Sequence, residues 1–199
     1  MDYLNNYKKQ QFRNVYFITG TATGGKTTIS KELAKKYNFL RYDVDEEFAR
    51  HKALLDTVKK IKELENKKDN SKEQLKFILD DLVQMSKDIK VVCDLHLTVD
   101  EASKIANNNQ IVFLIRKNND NIIDDYCNRK SHEDFNTYIN SSTNPIFAKE
   151  NCNAVLRELN NERCETIRNS DFFWIERDEN STVQETLQMV EKHFNLVCN

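Results

Sequence analysis

The glycines of this chain are concentrated in one short segment. The sequence holds three glycines among 199 residues, and Gly20, Gly24 and Gly25 all fall within six consecutive positions. Glycine makes up about 7% of an average protein, and it is needed where the backbone takes a positive φ or approaches a ligand closely. A chain that uses glycine only here is therefore expected to build, at this point, a backbone that other residues cannot adopt.

The three glycines belong to a complete phosphate-binding loop motif. Residues 20–27 read GTATGGKT and match the Walker A pattern G-x-x-x-x-G-K-[ST] in full. A predicted buried strand, 15–19, precedes the loop, and a segment with apolar residues at helical spacing, 26–37, follows it. In this context the main-chain N–H groups of residues 21–27 are expected to surround a polyphosphate. The predicted nucleotide contacts within the loop and the helix start are Gly20, Thr21, Ala22, Thr23, Gly24, Gly25, Lys26, Thr27 and Thr28.

The last residues of the motif carry its charged chemistry. Lys26 is expected to bridge the β- and γ-phosphates of ATP and so to act in catalysis, and the Thr27 hydroxyl is expected to bind Mg²⁺. The sequence therefore predicts a protein that binds ATP together with Mg²⁺.

Predicted strands and helices alternate along the whole chain. Continuous apolar strands with intervening helices are typical of a parallel sheet that is covered on both faces. We therefore predict a single α/β domain, 1–199, with the three-layer α/β/α P-loop NTPase fold and about five parallel strands. Helical residues 46–88 are expected to form much of the substrate pocket, and helical residues from about 121 to 169 a lid. The strands are predicted at 15–19, 39–43, 90–94, 110–116 and 171–175.

Charge and composition exclude several classes of partner. The net charge is −2, with basic and acidic residues mixed along the chain, so no basic stripe indicates nucleic-acid binding. No apolar run approaches the roughly 20 residues that cross a membrane. Five cysteines, an odd number without a C-x-x-C pair, favour reduced thiols and a cytoplasmic location. The oligomeric state cannot be read from these features.

The first 50 residues resemble the P-loop small-molecule kinases. This superfamily includes nucleoside monophosphate, shikimate, gluconate and zeta-toxin-like kinases. Beside the loop, the resemblance is carried by Asp43-Val44-Asp45, a D-x-D at the end of the second predicted strand, and by Arg50-His51, which is similar to positions in zeta-like kinases. It implies transfer of the γ-phosphate of ATP to a hydroxyl or phosphate of a small molecule. No glycine follows Gly25, unlike in shikimate kinases, so no specific member is matched.

Three aspartates are candidates for the chemistry at the acceptor. By the resemblance, Asp45 is expected to orient the acceptor hydroxyl and take its proton, because a carboxylate near the nucleophile can do both. Asp43 is expected to lie closer to the metal while also bordering the substrate. Asp94, at the end of the third predicted strand, is expected to hold Mg²⁺ through water or to contact the substrate.

Basic residues complete the predicted site. Kinases of this class close a cationic lid over the phosphates, and Arg129 is the favoured lid residue with a catalytic role. Arg177, in a turn predicted to follow the last strand, is expected to border the adenine base. Arg50 and His96 are candidates for substrate contacts.

Two further functions share the loop. A non-catalytic nucleotide sensor, or an ATPase that drives a conformational change, would need the loop but no acceptor carboxylate. A sulfotransferase-like enzyme is a weaker alternative, because such enzymes usually lack the intact Lys-Thr end of the motif, here Lys26-Thr27.

Overall fold

The computed structural model describes residues 3–44, 71–128 and 133–196. Three of the predicted site residues, Asp45, Arg50 and Arg129, lie outside these ranges, as does most of the 46–88 segment. The described part of the chain contains five strands: β1 (Val15–Gly20), β2 (Leu40–Tyr42), β3 (Val91–Asp94), β4 (Ile111–Arg116) and β5 (Trp174–Arg177).

Helices connect these strands and continue beyond the last of them. Pro145 opens the longest helix at its first turn, where the missing N–H of proline has no intrahelical partner to lose. Within the described residues none of the helices is long and apolar enough to span a membrane. The helices are α1 (Lys26–Tyr37), α2 (Ser71–Met85), α3 (Val99–Ile105), α4 (Ile122–Cys127), α5 (Glu133–Ser141), α6 (Pro145–Arg168) and α7 (Val183–His193).

All five strands pair in parallel, in the order β2-β3-β1-β4-β5. Strand β1 is central, because Phe17 pairs with Cys93 of β3 on one side and with Ile111 of β4 on the other. Ligands of open parallel sheets bind in the crevice at the carboxyl ends of strands where the strand order reverses. Here the order reverses beside β1, so the glycine loop emerges from β1 at that crevice.

Two apolar clusters cover the two faces of the sheet. Side chains alternate along β1, so Phe17 lies in one cluster with Leu79 of α2, and Ile18 lies in the other with Leu33 of α1 and Val190 of α7. All five side chains are fully or almost fully buried. The predicted three-layer α/β/α fold is therefore confirmed.

Two helices begin with capping boxes. The Thr98 hydroxyl accepts a hydrogen bond from the Glu101 amide at 3.2 Å, and the Glu101 carboxylate accepts one from the Thr98 amide at 2.8 Å. Thr182 and Glu185 make the same pair of bonds at the start of α7. Each box satisfies main-chain donors that the first turn would otherwise leave without partners.

The last strand begins later than predicted. Residues 171–175 were expected to form it, but β5 spans Trp174–Arg177, because it pairs with β4 from Phe113 to Arg116. The aromatic pair before it packs on side chains instead: Phe172 lies 5.5 Å from the Phe113 ring, and Phe173 stacks on His193 at 4.3 Å. Arg177 is therefore the last residue of the strand rather than part of the following turn.

Candidate nucleotide site and adjoining clefts

The glycines allow the loop to pack directly against the sheet. A Cβ atom at Gly20, whose φ is +125°, would lie 2.0 Å from the Leu114 carbonyl oxygen, and one at Gly24 would lie 2.7 Å from the same atom. Gly25 has a φ of +89°, and a Cβ there would meet the Arg177 guanidinium. The expected need for positive φ and close approach is confirmed, although the close neighbours are other parts of the protein.

The loop uses some of its own amides for internal bonds. Thr21 donates its N–H to Leu114 at 3.0 Å, and Ala22 donates to the Asn160 side-chain oxygen at 3.2 Å. The Gly24 amide donates to the Thr21 carbonyl at 3.4 Å. The prediction that every amide of residues 21–27 faces the phosphates is therefore wrong for Thr21, Ala22 and Gly24. An anion held by this loop would be held by the amides that follow, toward the N-terminus of α1.

Asn160 of α6 forms hydrogen bonds with the glycine loop. Its amide group also donates to the Ala22 carbonyl at 3.3 Å, so it pairs with both polar groups of one loop residue. Asn160 is 5% exposed and bonds to the equally buried Asn119 at 3.1 Å. The sequence analysis did not identify Asn160, because an asparagine inside a helix gives no signal that its partner lies 138 residues away.

The basic end of the loop lies in the crevice. The Lys26 ammonium donates to the Thr21 carbonyl at 2.7 Å, so it is folded over the loop. Thr27 begins α1 together with Lys26 and Thr28, and its hydroxyl donates to the carboxylate of Asp94. The structure thus brings together Thr27 and Asp94, which the sequence analysis placed among the metal ligands.

One arginine binds two of the three predicted site aspartates. Arg41 of β2 donates to Asp43 at 2.5 Å and to Asp94 at 3.3 Å. Burial raises the pKa of Asp94, whose side chain is 6% exposed, although the Arg41 charge and the Thr27 bond act in the opposite direction. Burial disfavours the Arg41 charge, but Asp94 and Asp43 outweigh it, so the pKa of Arg41 is raised. The sequence analysis did not identify Arg41, because a charged residue in a short, partly exposed strand gives no local sign of its distant partner.

His96 lies in the loop that follows β3, close to a second arginine. Arg163 of α6 donates to the Leu97 carbonyl at 2.6 Å and lies 3.5 Å from Nε2 of His96. The crowded cleft and the charges of Lys26 and Arg163 lower the pKa of His96 to about 3. The His96 ring is still exposed to solvent, which moderates the lowering of its pKa. A lowered pKa keeps His96 neutral at pH 7.

A cleft of about 570 Å³ adjoins the loop on the β4 and β5 side of β1. We call it the β4–β5 cleft. Arg177, which was predicted to border the adenine base, lines it and donates to the Gly24 carbonyl at 3.3 Å. Arg116 also lines it and donates to the Thr23 hydroxyl at 3.0 Å. The other lining residues are Lys117, Asn118, Asn121, Asp125, Asp178, Glu179 and Asn180.

A cleft of about 400 Å³ adjoins the loop on the β3 side, between the segment after β3 and helix α6. We call it the α6 cleft. Ala22 forms its boundary with the loop, and His96 and Arg163 both line it. The two clefts therefore meet the loop from opposite sides of β1.

The sequence from β1 through α6 matches a known family. Residues 17–168 match the model of a family described as an AAA domain. The chain belongs to this AAA domain family. The AAA domain match contains the glycine loop, the Asp94 crevice and the helix that carries Asn160 and Arg163.

A solved structure shares the fold of this AAA domain protein. A shikimate kinase from Bacteroides thetaiotaomicron aligns with a TM-score of 0.52 and 14% identity, over 91% of this chain and 98% of that one. An uncharacterised protein from Eubacterium ventriosum aligns with a TM-score of 0.44 and 15% identity, over 92% of this chain and 99% of that one. None of the curated proteins compared with the chain matches it. The predicted resemblance to P-loop small-molecule kinases is confirmed for the superfamily, without a specific member.

Proposed function

We propose that the protein is an ATP-dependent phosphotransferase that moves the γ-phosphate of Mg-ATP to a hydroxyl or phosphate of a small molecule. The observation that carries this proposal is the contact between the Thr27 hydroxyl and the buried Asp94 carboxylate, at the end of the glycine loop. A hydroxyl and a carboxylate beside a phosphate loop are oxygen ligands of the kind that Mg²⁺ takes, together with water and phosphate oxygens. These residues therefore fit the metal that the resemblance implies.

The β4–β5 cleft suits the base of the nucleotide. It begins at the loop residues Thr23 and Gly24 and extends between the carboxyl ends of β4 and β5. Arg116 and Arg177 flank it, and a guanidinium plane can stack on an aromatic ring. We assign the adenine to this cleft, with the phosphates on the loop.

The protein would act mainly through positioning and charge. When bound, Mg-ATP would supply the phosphoryl group, and the ion would neutralise charge between its phosphates. Lys26 would exchange the Thr21 carbonyl for a phosphate oxygen and stabilise negative charge in the transition state. Arg41 keeps Asp94 and Asp43 in fixed orientations, so neither carboxylate needs to reorganise during the reaction.

The acceptor proton needs a base. Asp45 follows Asp43 by two residues in the sequence, and we assign it the role of orienting the acceptor hydroxyl and taking its proton. Arg129 is the proposed lid residue that covers the phosphates. Both of these residues lie outside the described ranges, so their roles rest on the resemblance.

The proposal is tested by ATP consumption measured against a panel of nucleosides, nucleotides, sugars and antibiotics. One acceptor is expected to consume ATP in a stoichiometric, Mg²⁺-dependent reaction, and mass spectrometry should find that acceptor heavier by one phosphoryl group. Hydrolysis of ATP at the same rate with and without every acceptor would favour the ATPase alternative. Failure of the chain to bind Mg-ATP in calorimetry would exclude both activities.

A further inference from the structure

Arg163 carries a charge that no carboxylate of the described residues balances. Its guanidinium reaches only the Leu97 carbonyl and the His96 ring, and its Nε is buried without a hydrogen-bond partner. Burial lowers the pKa of Arg163, although Glu101 acts in the opposite direction. An arginine stays charged at neutral pH, and a buried charge without a counter-ion is costly.

The neighbouring acidic residues are unsuited to neutralise this charge. The Glu101 carboxylate accepts two bonds from Thr98 in the capping box, at 2.8 and 3.0 Å, so it is held at the start of α3. Glu162 lines the α6 cleft but is exposed, and adjacent positions of a helix do not face each other. Neither carboxylate forms a salt bridge with Arg163 among the described residues, so the guanidinium remains without a counter-ion in contact.

His96 does not change this balance. The Arg163 guanidinium can only donate, so Nε2 of His96, 3.5 Å away, could serve it only as an acceptor. The imidazole supplies no negative charge, so it does not balance Arg163.

The remaining walls of the α6 cleft are largely apolar. Leu159 is 57% exposed although it lies on a helix that packs against the core, and Leu156 lines the cleft one turn before Asn160. Tyr126 of α4 and Val99 of α3 complete these walls. Such a cleft suits a molecule that combines an apolar body with one polar group at a fixed place.

We propose that the α6 cleft is the acceptor site and that the acceptor carries a carboxylate or phosphate group paired with Arg163. The apolar body of the acceptor lies against Leu156 and Leu159, and its reacting group points toward the loop at Ala22. The role of the bound molecule as phosphoryl acceptor rests on the proposed function, whereas the binding of its anionic group to Arg163 does not. The planar guanidinium presents its N–H groups in a fixed fork, which matches either anion.

Binding of simple probes to the full-length protein tests this proposal. Phenylpropionate and phenyl phosphate supply the two anions on an apolar ring, and phenylpropanol is the neutral counterpart of the first. Calorimetry is expected to find at least one anionic probe bound about tenfold or more tightly than phenylpropanol. The proposal would be overturned if neither anion bound more tightly than phenylpropanol.

Variants of α6 locate the contact. Arg163→Gln is expected to weaken binding of the anionic probe by about tenfold or more. Arg157 is an exposed arginine on the same helix, and Arg157→Gln is expected to leave the probe affinity unchanged. Arg163→Lys keeps the charge but loses the planar fork, so an intermediate loss is expected. An anionic probe that binds equally to wild type, Arg163→Gln and Arg163→Lys would contradict the assignment. Thermal melts without probe verify that each variant is folded.

Competition separates this site from the phosphate loop. A non-hydrolysable ATP analogue is expected to bind together with the probe rather than displace it, and Lys26→Ala is expected to retain probe binding. Displacement of the probe by the ATP analogue would place Arg163 at the γ-phosphate and would overturn the acceptor assignment. Intact probe binding in a protein that transfers no phosphate would instead exclude the proposed function while the anion site stands.

Discussion

The two clefts beside the glycine loop differ in how their cations are balanced. In the β4–β5 cleft, Arg116 pairs with Asp125, and Lys117 lies 3.7 Å from Asp178, whereas Arg177 donates to the carbonyls of Gly24 and Ser181. In the α6 cleft, Arg163 meets a carbonyl and an imidazole. Two of the three cations that line the β4–β5 cleft are thus paired with carboxylates and the third supports the loop at Gly24, whereas the cation of the α6 cleft has no carboxylate contact among the described residues. We therefore assign an uncharged ring to the first cleft and an anion to the second.

The largest effect on phosphotransfer is expected from a substitution at the point where ATP and the acceptor meet. Asp45→Asn removes the proposed base without changing the size of the side chain, and it is expected to lower phosphotransfer by about a hundredfold to ten-thousandfold. ATP affinity, measured by calorimetry, should remain within about twofold, because the base contacts the acceptor rather than the nucleotide. Full activity of both Asp45→Asn and Asp43→Asn would remove the acceptor carboxylate from the mechanism.

Lys26→Ala should affect the phosphates rather than either cleft. Loss of this ammonium is expected to lower phosphotransfer by about a hundredfold and to weaken ATP binding, because the charge is aimed at the phosphates. Lys35→Ala, an exposed lysine on the same helix, is the matched control and should behave as wild type. A Lys26→Ala protein with normal ATP affinity and normal turnover would refute the placement of the phosphates on the loop.

The β4 side of the loop can be disturbed through Gly24. Gly24→Ala places a methyl group 2.7 Å from the Leu114 carbonyl oxygen, and main chain on both sides limits relief of the contact. We expect a loss of about 1–3 kcal/mol in the free energy of unfolding, measured with urea, together with weaker ATP binding. Ser103→Ala, on exposed α3, should change the free energy of unfolding by less than about 1 kcal/mol and leave ATP affinity unchanged. Unchanged stability and ATP affinity in Gly24→Ala would mean that the loop is not fixed against β4.

The helix side of the loop can be disturbed through Asn160. Asn160→Ala removes both bonds to Ala22 and leaves their buried partners unsatisfied, so a loss of about 1–3 kcal/mol in the free energy of unfolding is expected. ATP affinity should fall as well, because the loop loses one support. The exposed Asn151 of the same helix provides the control, Asn151→Ala, which should match wild type in both measurements. An Asn160→Ala protein with wild-type stability would contradict a supporting role.

The smallest effect concerns pH. The pKa of His96 is lowered to about 3, so the folded protein binds fewer protons at this site than the unfolded chain, whose histidine has a pKa near 6.5. The contribution of His96 to stability is therefore present above about pH 6.5 and is lost as the pH falls toward 3. His96→Gln is expected to flatten the decline in thermal stability between these values. Superimposable pH profiles for the two proteins would show that His96 titrates normally.

Local patterns predicted the parts of the molecule that depend on neighbours in sequence. The glycine loop and the strand–helix alternation arise from residues within a few positions of one another, and both are present. The start of β5 was wrong because its register is set by β4, about 60 residues earlier, rather than by its own aromatic residues.

The contacts that define the clefts could not be predicted in this way. Arg41 reaches Asp94 across 53 positions, and Arg163 reaches Leu97 across 66. Each is one of many charged residues in a chain that is 31% charged, and nothing local separates a structural or binding cation from a solvated one. Only the folded arrangement selects them.

Helix α6 carries Asn160 and Arg163 one turn apart, so the support of the loop and the cation of the α6 cleft belong to the same rigid rod. A rotation or translation of α6 therefore moves both side chains together. A ligand that binds Arg163 and shifts α6 also shifts the support of the loop. By thermodynamic reciprocity, a nucleotide bound to the loop then changes the affinity for that ligand to the same degree.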